Sequence, residues 1–192
     1  MRIPAEMVWR WRKAGIGYGG SCFPKDTKAL KYLAKQHGYK LRTVEAAVDV
    51  NKEQKTKLYK KACDRLITFS GLKVAVLGLT FKAGTDDLRE APSIDNIELL
   101  LDHGANIYAF DPVGEDNFER RFPGRINYTK SPEEALKDAN VCFIFTEWDE
   151  IKNVKPSTYK ELMRTPLVYD GRNIYDIQEM KDENVEYYSI GR

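Results

Sequence analysis

The residues best suited to chemistry lie together at positions 15–26, GIGYGGSCFPKD, where four glycines precede Cys22. Glycine lets backbone approach a ligand closely. Pro24 suits the first turn of a helix, so Cys22 is expected at a helix start beside Lys25. A helix N-terminus and a neighbouring cation both favour thiolate over thiol, which makes Cys22 a candidate nucleophile. On composition alone, a buried cysteine in a glycine-rich turn stays open. Asp26, four residues on, shares the helical face of Cys22 one turn away and could hold a water beside anything attached to the sulfur. Its plainer alternative is a helix-start acid next to a solvated base.

These residues must be positioned by the surrounding elements. Residues 24–37 predict a helix with Leu30, Leu33 and Ala34 inward, ended by Gly38. Residues 41–69 carry Val44, Val48, Leu58, Ala62 and Leu66 on one helical stripe, interrupted by the polar stretch 51–57. A single helix of this length would span about 40 Å at ~1.5 Å per residue, long enough to join domains or pair with a twin. The alternative is two shorter helices broken near Asn51.

After Lys73 short apolar runs alternate with helical patterns, the mark of a parallel sheet with crossover helices. Strands are expected at 73–79, 106–110, 126–128, 141–146, 167–169 and 185–189, with continuous rather than alternating hydrophobicity, as for strands buried on both faces. Helices are expected at 93–103, 132–137, 157–163 and 175–181, with Ser93 and Ser131 as N-caps and Gly104 as a stop. The fold class is α/β: a Rossmann-like parallel sheet of six strands in residues 71–192, preceded in residues 1–70 by a helical segment with a long connecting helix.

The turn after the first strand, GLTFKAG, is not G-x-G-x-x-G, so it is no dinucleotide fingerprint, yet it places Phe81 and Lys82 where open α/β sheets bind ligands. Asp111 closes the second strand, where an acid can meet a ribose, but Asp111-Pro112 reads better as a turn initiator. Arg89 and Arg172 offer planar forks of donors suited to phosphate, or serve as surface ion-pair partners. Glu147 and Trp148 follow a buried strand and could face the pocket, but read better as core and loop. His37 and His103 sit at helix ends, and Cys63 and Cys142 read as small buried apolar residues.

Charge and composition narrow the classes. In 192 residues, 31 basic and 29 acidic side chains leave a net charge of +2, so no broad field favours nucleic acid or an anionic membrane. No apolar run approaches the roughly 20 residues of a membrane span, and residues 1–13 lack the apolar core of a secretory signal. A cytoplasmic protein is expected. Three widely spaced cysteines suit neither a disulfide framework nor a zinc site, and no metal is expected.

The stretch GIGYGGSCFPKDTKAL resembles the active-site segment of the UDP-glucose and GDP-mannose dehydrogenase family, in the form of its UDP-glucose branch. GLTFKAGTDDLREAPS at 78–93, TEWD at 146–149 and YDGRNIYD at 169–176 follow in that family's order and spacing, and the resemblance runs from about Lys13 to the carboxy terminus. It implies a four-electron oxidation of a sugar C6 alcohol to a carboxylate using two NAD+, through a thiohemiacetal and a thioester on Cys22, with Asp26 assisting the water. It implies that the backbone of Lys13, Ala14, Gly15, Ile16, Gly17, Tyr18 and Gly19 lines the sugar-nucleotide pocket, that Phe81, Lys82 and Arg172 bind the UDP-sugar, and that Arg89 joins Cys22 in meeting NAD. It also implies a homodimer through the long helix. The NAD domain and the acid–base residues that the family carries upstream of the cysteine loop are not in this sequence, so this chain alone is expected not to turn over. Residues 1–12 depart from the family pattern, and Arg2 is left unassigned. The competing readings are a nucleotide-sugar-binding or oligomerisation module without chemistry, and a dehydrogenase for GDP-mannose or a UDP-N-acetylated aminosugar.

Overall fold

A computed structural model describes residues 14–192; Lys13 and Arg2 lie outside them. The apolar runs form β1 (Lys73–Leu77), β2 (Asn106–Phe110), β3 (Asn127–Tyr128), β4 (Val141–Ile144), β5 (Leu167–Asp170) and β6 (Glu186–Ser189). They make one parallel sheet in the order β3-β2-β1-β4-β5-β6. The chain winds outward from β1 in one direction and then, from β4, in the other. The crevice outside the carboxyl ends of β1 and β4 is therefore the topological switch point, where such sheets bind ligands.

The helices are α1 (Cys22–Gln36), α2 (Arg42–Lys55), α3 (Lys57–Arg65), α4 (Pro92–Asp102), α5 (Glu115–Arg121), α6 (Pro132–Leu136), α7 (Asp149–Lys152), α8 (Pro156–Leu162) and α9 (Ile177–Asp182). Alternate strand residues feed two cores. Val74 and Val76 face Leu58 and Ala62 of α3, Ile97 and Leu100 of α4 and Phe118 of α5. Ala75 and Leu77 face Leu136 of α6, Tyr159 of α8 and Met180 of α9. Each fully buried Leu, Ile or Phe contributes roughly 1.5–3 kcal/mol, so these two layers fix the sheet and with it the crevice.

Several local expectations are corrected. The long helix runs as two segments broken at Thr56, not near Asn51, and the Asn96 amide of α4 donates to the Lys55 carbonyl beside the break at 2.8 Å. Ser131 caps α6 by accepting from the Glu134 amide. Ser93, by contrast, lies inside α4, which starts at Pro92, and its hydroxyl donates to the Leu79 carbonyl. Leu30 and Leu33 do not point inward; they stand 49% and 52% exposed, because α1 packs through Pro24 at its start and lies over the surface beyond it. Cys63 is exposed on α3, whose buried stripe is Leu58, Tyr59 and Ala62; Cys142 is buried as expected.

Candidate functional site

The crevice is held open by two buried carboxylates and one arginine. Beyond β1 the chain turns at Gly78 with φ +86°, and a Cβ there would lie 2.6 Å from the Thr146 nitrogen, so the ends of β1 and β4 touch through a glycine. At the end of β2, Asp111 is 2% exposed and gathers three loops. Its Oδ2 accepts from the amides of Leu79 (2.7 Å) and Thr80 (3.1 Å), the Thr80 hydroxyl (3.3 Å) and the Trp148 indole (3.0 Å). Its Oδ1 accepts from the amides of Val113 and Gly114 at 3.1 and 2.8 Å. Asp111 is thus the turn initiator that the sequence predicts, and also the tie between the loops after β1, β2 and β4.

At the end of β5, Asp170 accepts from the amides of Arg172, Asn173 and Ile174 and from the Tyr187 hydroxyl at 2.7–2.9 Å. Burial pushes its carboxyl above the usual range, and those donors pull it back. Arg172 donates through Nε to the Phe145 carbonyl at 2.8 Å and through one terminal nitrogen to the Phe81 carbonyl at 2.5 Å, so it struts the loops after β4 and β1. Burial lowers its pKa, opposed by the charges of Glu147 and Asp170. The result is a cleft of about 770 Å³ lined by Ala14, Gly15, Gly84, Glu147, Trp148 and Arg172 among others. That volume suits a nucleotide-sized ligand.

The glycine loop runs from this cleft to the start of α1. Ile16 donates its amide to the Gly171 carbonyl at 3.1 Å, and the Asn173 amide donates to the Ala14 carbonyl at 3.1 Å, fastening the loop to the turn after β5. Gly20 donates to the Arg89 carbonyl at 2.7 Å. Its φ of +82° and the Phe81 ring, 2.8 Å from where a Cβ would sit, both require glycine. From the other side, the Asn51 amide accepts from the Tyr18 nitrogen at 2.8 Å and donates to its carbonyl at 3.1 Å, while Gln54 donates to the Gly15 carbonyl at 2.6 Å. Cys22 is the first residue of α1 and exposed, its sulfur 3.8 Å from the Ser21 hydroxyl. A second cleft of about 720 Å³ opens beside it, lined by Ser21, Pro24, Lys25, Lys55, Arg89 and Glu90 among others.

Some of the residues named from sequence line one of two clefts joined by the glycine loop, whereas Cys22, Asp26, Phe81, Lys82 and residues 16–19 line neither. Ala14, Gly15 and Arg172 line the switch-point cleft; Lys25 and Arg89 line the one beside Cys22. Phe81 packs against Gly19 and Gly20, with the Lys82 ammonium 5.4 Å from its ring. Ile16 is fully buried against Gly171, so only its backbone belongs to the loop's surface. Asp26 is exposed, 3.8 Å from the Lys25 ammonium. Arg89 is paired with Asp87 at 2.8 Å, which holds the Asp87 carboxyl below the usual range. Glu147 and Trp148 line the switch-point cleft, as their place directly after a buried strand allowed, while Trp148 also packs against the second core as the core reading expected. Sequence reasoning also missed Asn51 and Gln54, whose spacing on one helical face was the only clue.

A dinucleotide does not fit the switch point of this sheet. The turn after β1 lacks the glycine fingerprint, and the acid that would meet a ribose, Asp111, has both oxygens engaged by internal donors.

Comparison with known proteins adds independent findings. The sequence matches the UDP-binding domain of the UDP-glucose/GDP-mannose dehydrogenase family over residues 75–177 and that family's central domain over residues 5–53. A UDP-glucose 6-dehydrogenase of Bacillus subtilis is 43% identical over 180 residues, covering 94% of this chain and 41% of its own length. One from Haloferax volcanii is 43% identical over 177 residues, covering 92% and 39%. The structure of a UDP-glucose dehydrogenase from Pyrobaculum islandicum superposes with a TM-score of 0.77 at 30% identity, over 93% of this chain and 38% of that one. The chain thus spans about two fifths of the length of the curated relatives it matches.

Proposed function

This chain belongs to the UDP-glucose/GDP-mannose dehydrogenase family, and from that premise we propose that it supplies the nucleotide-sugar site and the nucleophilic thiol for oxidation of UDP-glucose to UDP-glucuronate. One observation carries the reading. The loop that ends at Cys22 is hydrogen-bonded at Ile16 to the turn after β5 and at Gly20 to the segment after β1, so the thiol is tied to the walls of the switch-point cleft. A nucleotide seated there has its sugar directed along the glycine loop.

In this reading Arg172, Phe81, Lys82 and the backbone of residues 14–19 hold the UDP-sugar, Arg172 offering the guanidinium donors left free by its two carbonyl bonds. NAD+, held mainly outside this sheet, would supply the oxidising power by accepting one hydride from C6 at each of the two oxidation steps, and Arg89 is the residue of this chain that would meet it. Cys22 adds as thiolate to the C6 aldehyde, forming the carbon–sulfur bond while the aldehyde oxygen takes up a proton. Once the carbon has reached the acyl level, water held by Asp26 attacks it and the sulfur leaves as thiolate. Residues up to about 70 form the central segment that carries the loop, and residues 71–192 the UDP-sugar domain. The exposed Leu30, Leu33 and Val50 on α1 and α2 support a homodimer through this segment, and the chain works in the cytoplasm without nucleic acid or membrane. By itself it binds the sugar nucleotide and does not turn over.

Two measurements test this. Calorimetric titration of UDP-glucose into the purified chain should give a saturable isotherm; no heat at millimolar ligand would sink the binding half. Cys22 should label faster than Cys63 with a thiol reagent at neutral pH, both being exposed; equal rates would favour a binding module without chemistry.

A further inference from the structure

Helix α2 carries Asn51, Gln54 and Lys55 at spacings i, i+3 and i+4, one face of one turn. The sequence presents these residues as a polar interruption in an apolar stripe. All three side chains instead reach the two segments that flank the thiol. Asn51 closes a two-bond pair with the backbone of Tyr18, at 2.8 and 3.1 Å, across 33 residues of sequence. Gln54 donates to the Gly15 carbonyl at 2.6 Å. Between these points lies Gly17, φ +91°, where a Cβ would sit 2.6 Å from the Asn51 oxygen, so the loop is laid directly on the helix.

Lys55 acts on the opposite segment. It is 6% exposed, and its ammonium lies 2.8 Å from the Glu90 carboxylate and 3.9 Å from Asp95. Glu90 also pairs with Lys28 of α1 at 2.8 Å and adopts a left-handed backbone, φ +56°, unusual for a residue with a side chain. That conformation turns the Arg89 carbonyl to the Gly20 amide and presses the Glu90 carbonyl under Gly19. One helical face thus grips the loop before Cys22 twice and, through the ion pair of its buried lysine with the half-exposed Glu90, the turn that bears Arg89.

We propose that Asn51, Gln54 and Lys55 are positioning residues for the reactive thiol: together they set the path of residues 15–21, and so place Cys22 at the mouth of α1 and Arg89 beside it. This rests on the reading of Cys22 as the reactive group. Nothing in the three side chains touches the sulfur, so their effect passes through the loop.

The test uses Asn51→Ala, Asn51→Asp and Gln54→Ala in the whole chain, with two readouts. Hydrogen exchange should show the Tyr18 amide protected in the parent, unprotected in Asn51→Ala and partly protected in Asn51→Asp, which keeps the acceptor and loses the donor. Labelling of Cys22 by iodoacetamide at pH 7 should fall about threefold in the two alanine variants, because the sulfur is no longer held at an ordered helix start, while Cys63 on α3 labels at its parental rate. Strand amides of β1 and β4 keep their protection if the fold is intact. A Tyr18 amide that exchanges freely in the parent, or Cys22 and Cys63 rates that change in step, would overturn the proposal. Parental Cys22 labelling no faster than Cys63 would instead strike the reading of Cys22 as nucleophile, and the Tyr18 exchange would still decide whether the clamp exists.

Discussion

Replacing Asp111 by Asn tests whether one carboxylate holds the mouth of the cleft together. The substitution keeps volume and shape, so no cavity term enters. The native carboxylate accepts six hydrogen bonds, four at Oδ2 and two at Oδ1. An asparagine oxygen can replace Oδ2 and keep those four, but its NH2 then faces the amides of Val113 and Gly114, donor against donor. Two bonds to a charged acceptor, worth roughly 1.5–3 kcal/mol each, are lost, and the remaining four weaken as the charge disappears. Partial rotation and water entry recover some of this, so the expected cost is about 3 kcal/mol out of a total of roughly 5–15 kcal/mol for a domain. Urea unfolding followed by circular dichroism at pH 7 measures it, with an unchanged slope confirming that only stability has moved. A loss below about 1 kcal/mol would mean that the six donors find water as easily as the carboxylate, and that Asp111 does not hold the cleft mouth together.

Three further outcomes follow from the same geometry. The Glu90 carboxyl, held by Lys28 and Lys55, is pulled from 4.5 to about 2, so its contribution is fully present above pH 4.5 and disappears as pH falls toward 2; with its side chain 41% exposed the contribution is about 1 kcal/mol, and Glu90→Gln should flatten that part of an acid-unfolding curve. Gly20→Ala forces a left-handed backbone on a residue with a Cβ and drives that Cβ into the Phe81 ring, costing about 2 kcal/mol in thermal unfolding and displacing Phe81 from the loop. Arg172→Lys cannot bridge the Phe145 and Phe81 carbonyls with one ammonium, and should weaken UDP binding by about tenfold in calorimetry; parental affinity would show that the guanidinium fork is idle.

The sheet was legible in the sequence because strands buried on both faces leave continuous apolar runs, and all six appear within a few residues of where those runs lie. The helices α5 and α7 were not foreseen: each is short, anchored by a single buried side chain, Phe118 or Ile151, too little for a periodic signal. The break at Thr56 lies beside a tertiary contact, an asparagine amide from α4 bonded to the Lys55 carbonyl of α2, which no local pattern reveals. Motif spacing located the loop, the helix start at Cys22 and the cleft residue Arg172. It could not reveal Asn51 and Gln54, since an amide on a helix surface looks the same in sequence whether it faces water or a distant backbone.

The role of Asp111 explains how a Rossmann-like sheet can serve a ligand other than a dinucleotide. In a dinucleotide site the acid closing the second strand must keep an oxygen free for a ribose hydroxyl. Here both oxygens are consumed in tying three loops, and the first turn carries Thr80 and Ala83 where the fingerprint would place its second and third glycines. The same strand order therefore yields a rigid cleft mouth without a ribose anchor, and in the proposed reading recognition passes to Arg172 and the backbone of the glycine loop, groups suited to a diphosphate. Rigidity matters because the loop has no core of its own: of residues 14–21 only Ile16 and Gly20 are buried. Its geometry is borrowed from the turn after β5, the Arg89–Glu90 segment and α2, so the placement of the thiol at Cys22 depends on every element that the two carboxylates and the buried lysine hold in register.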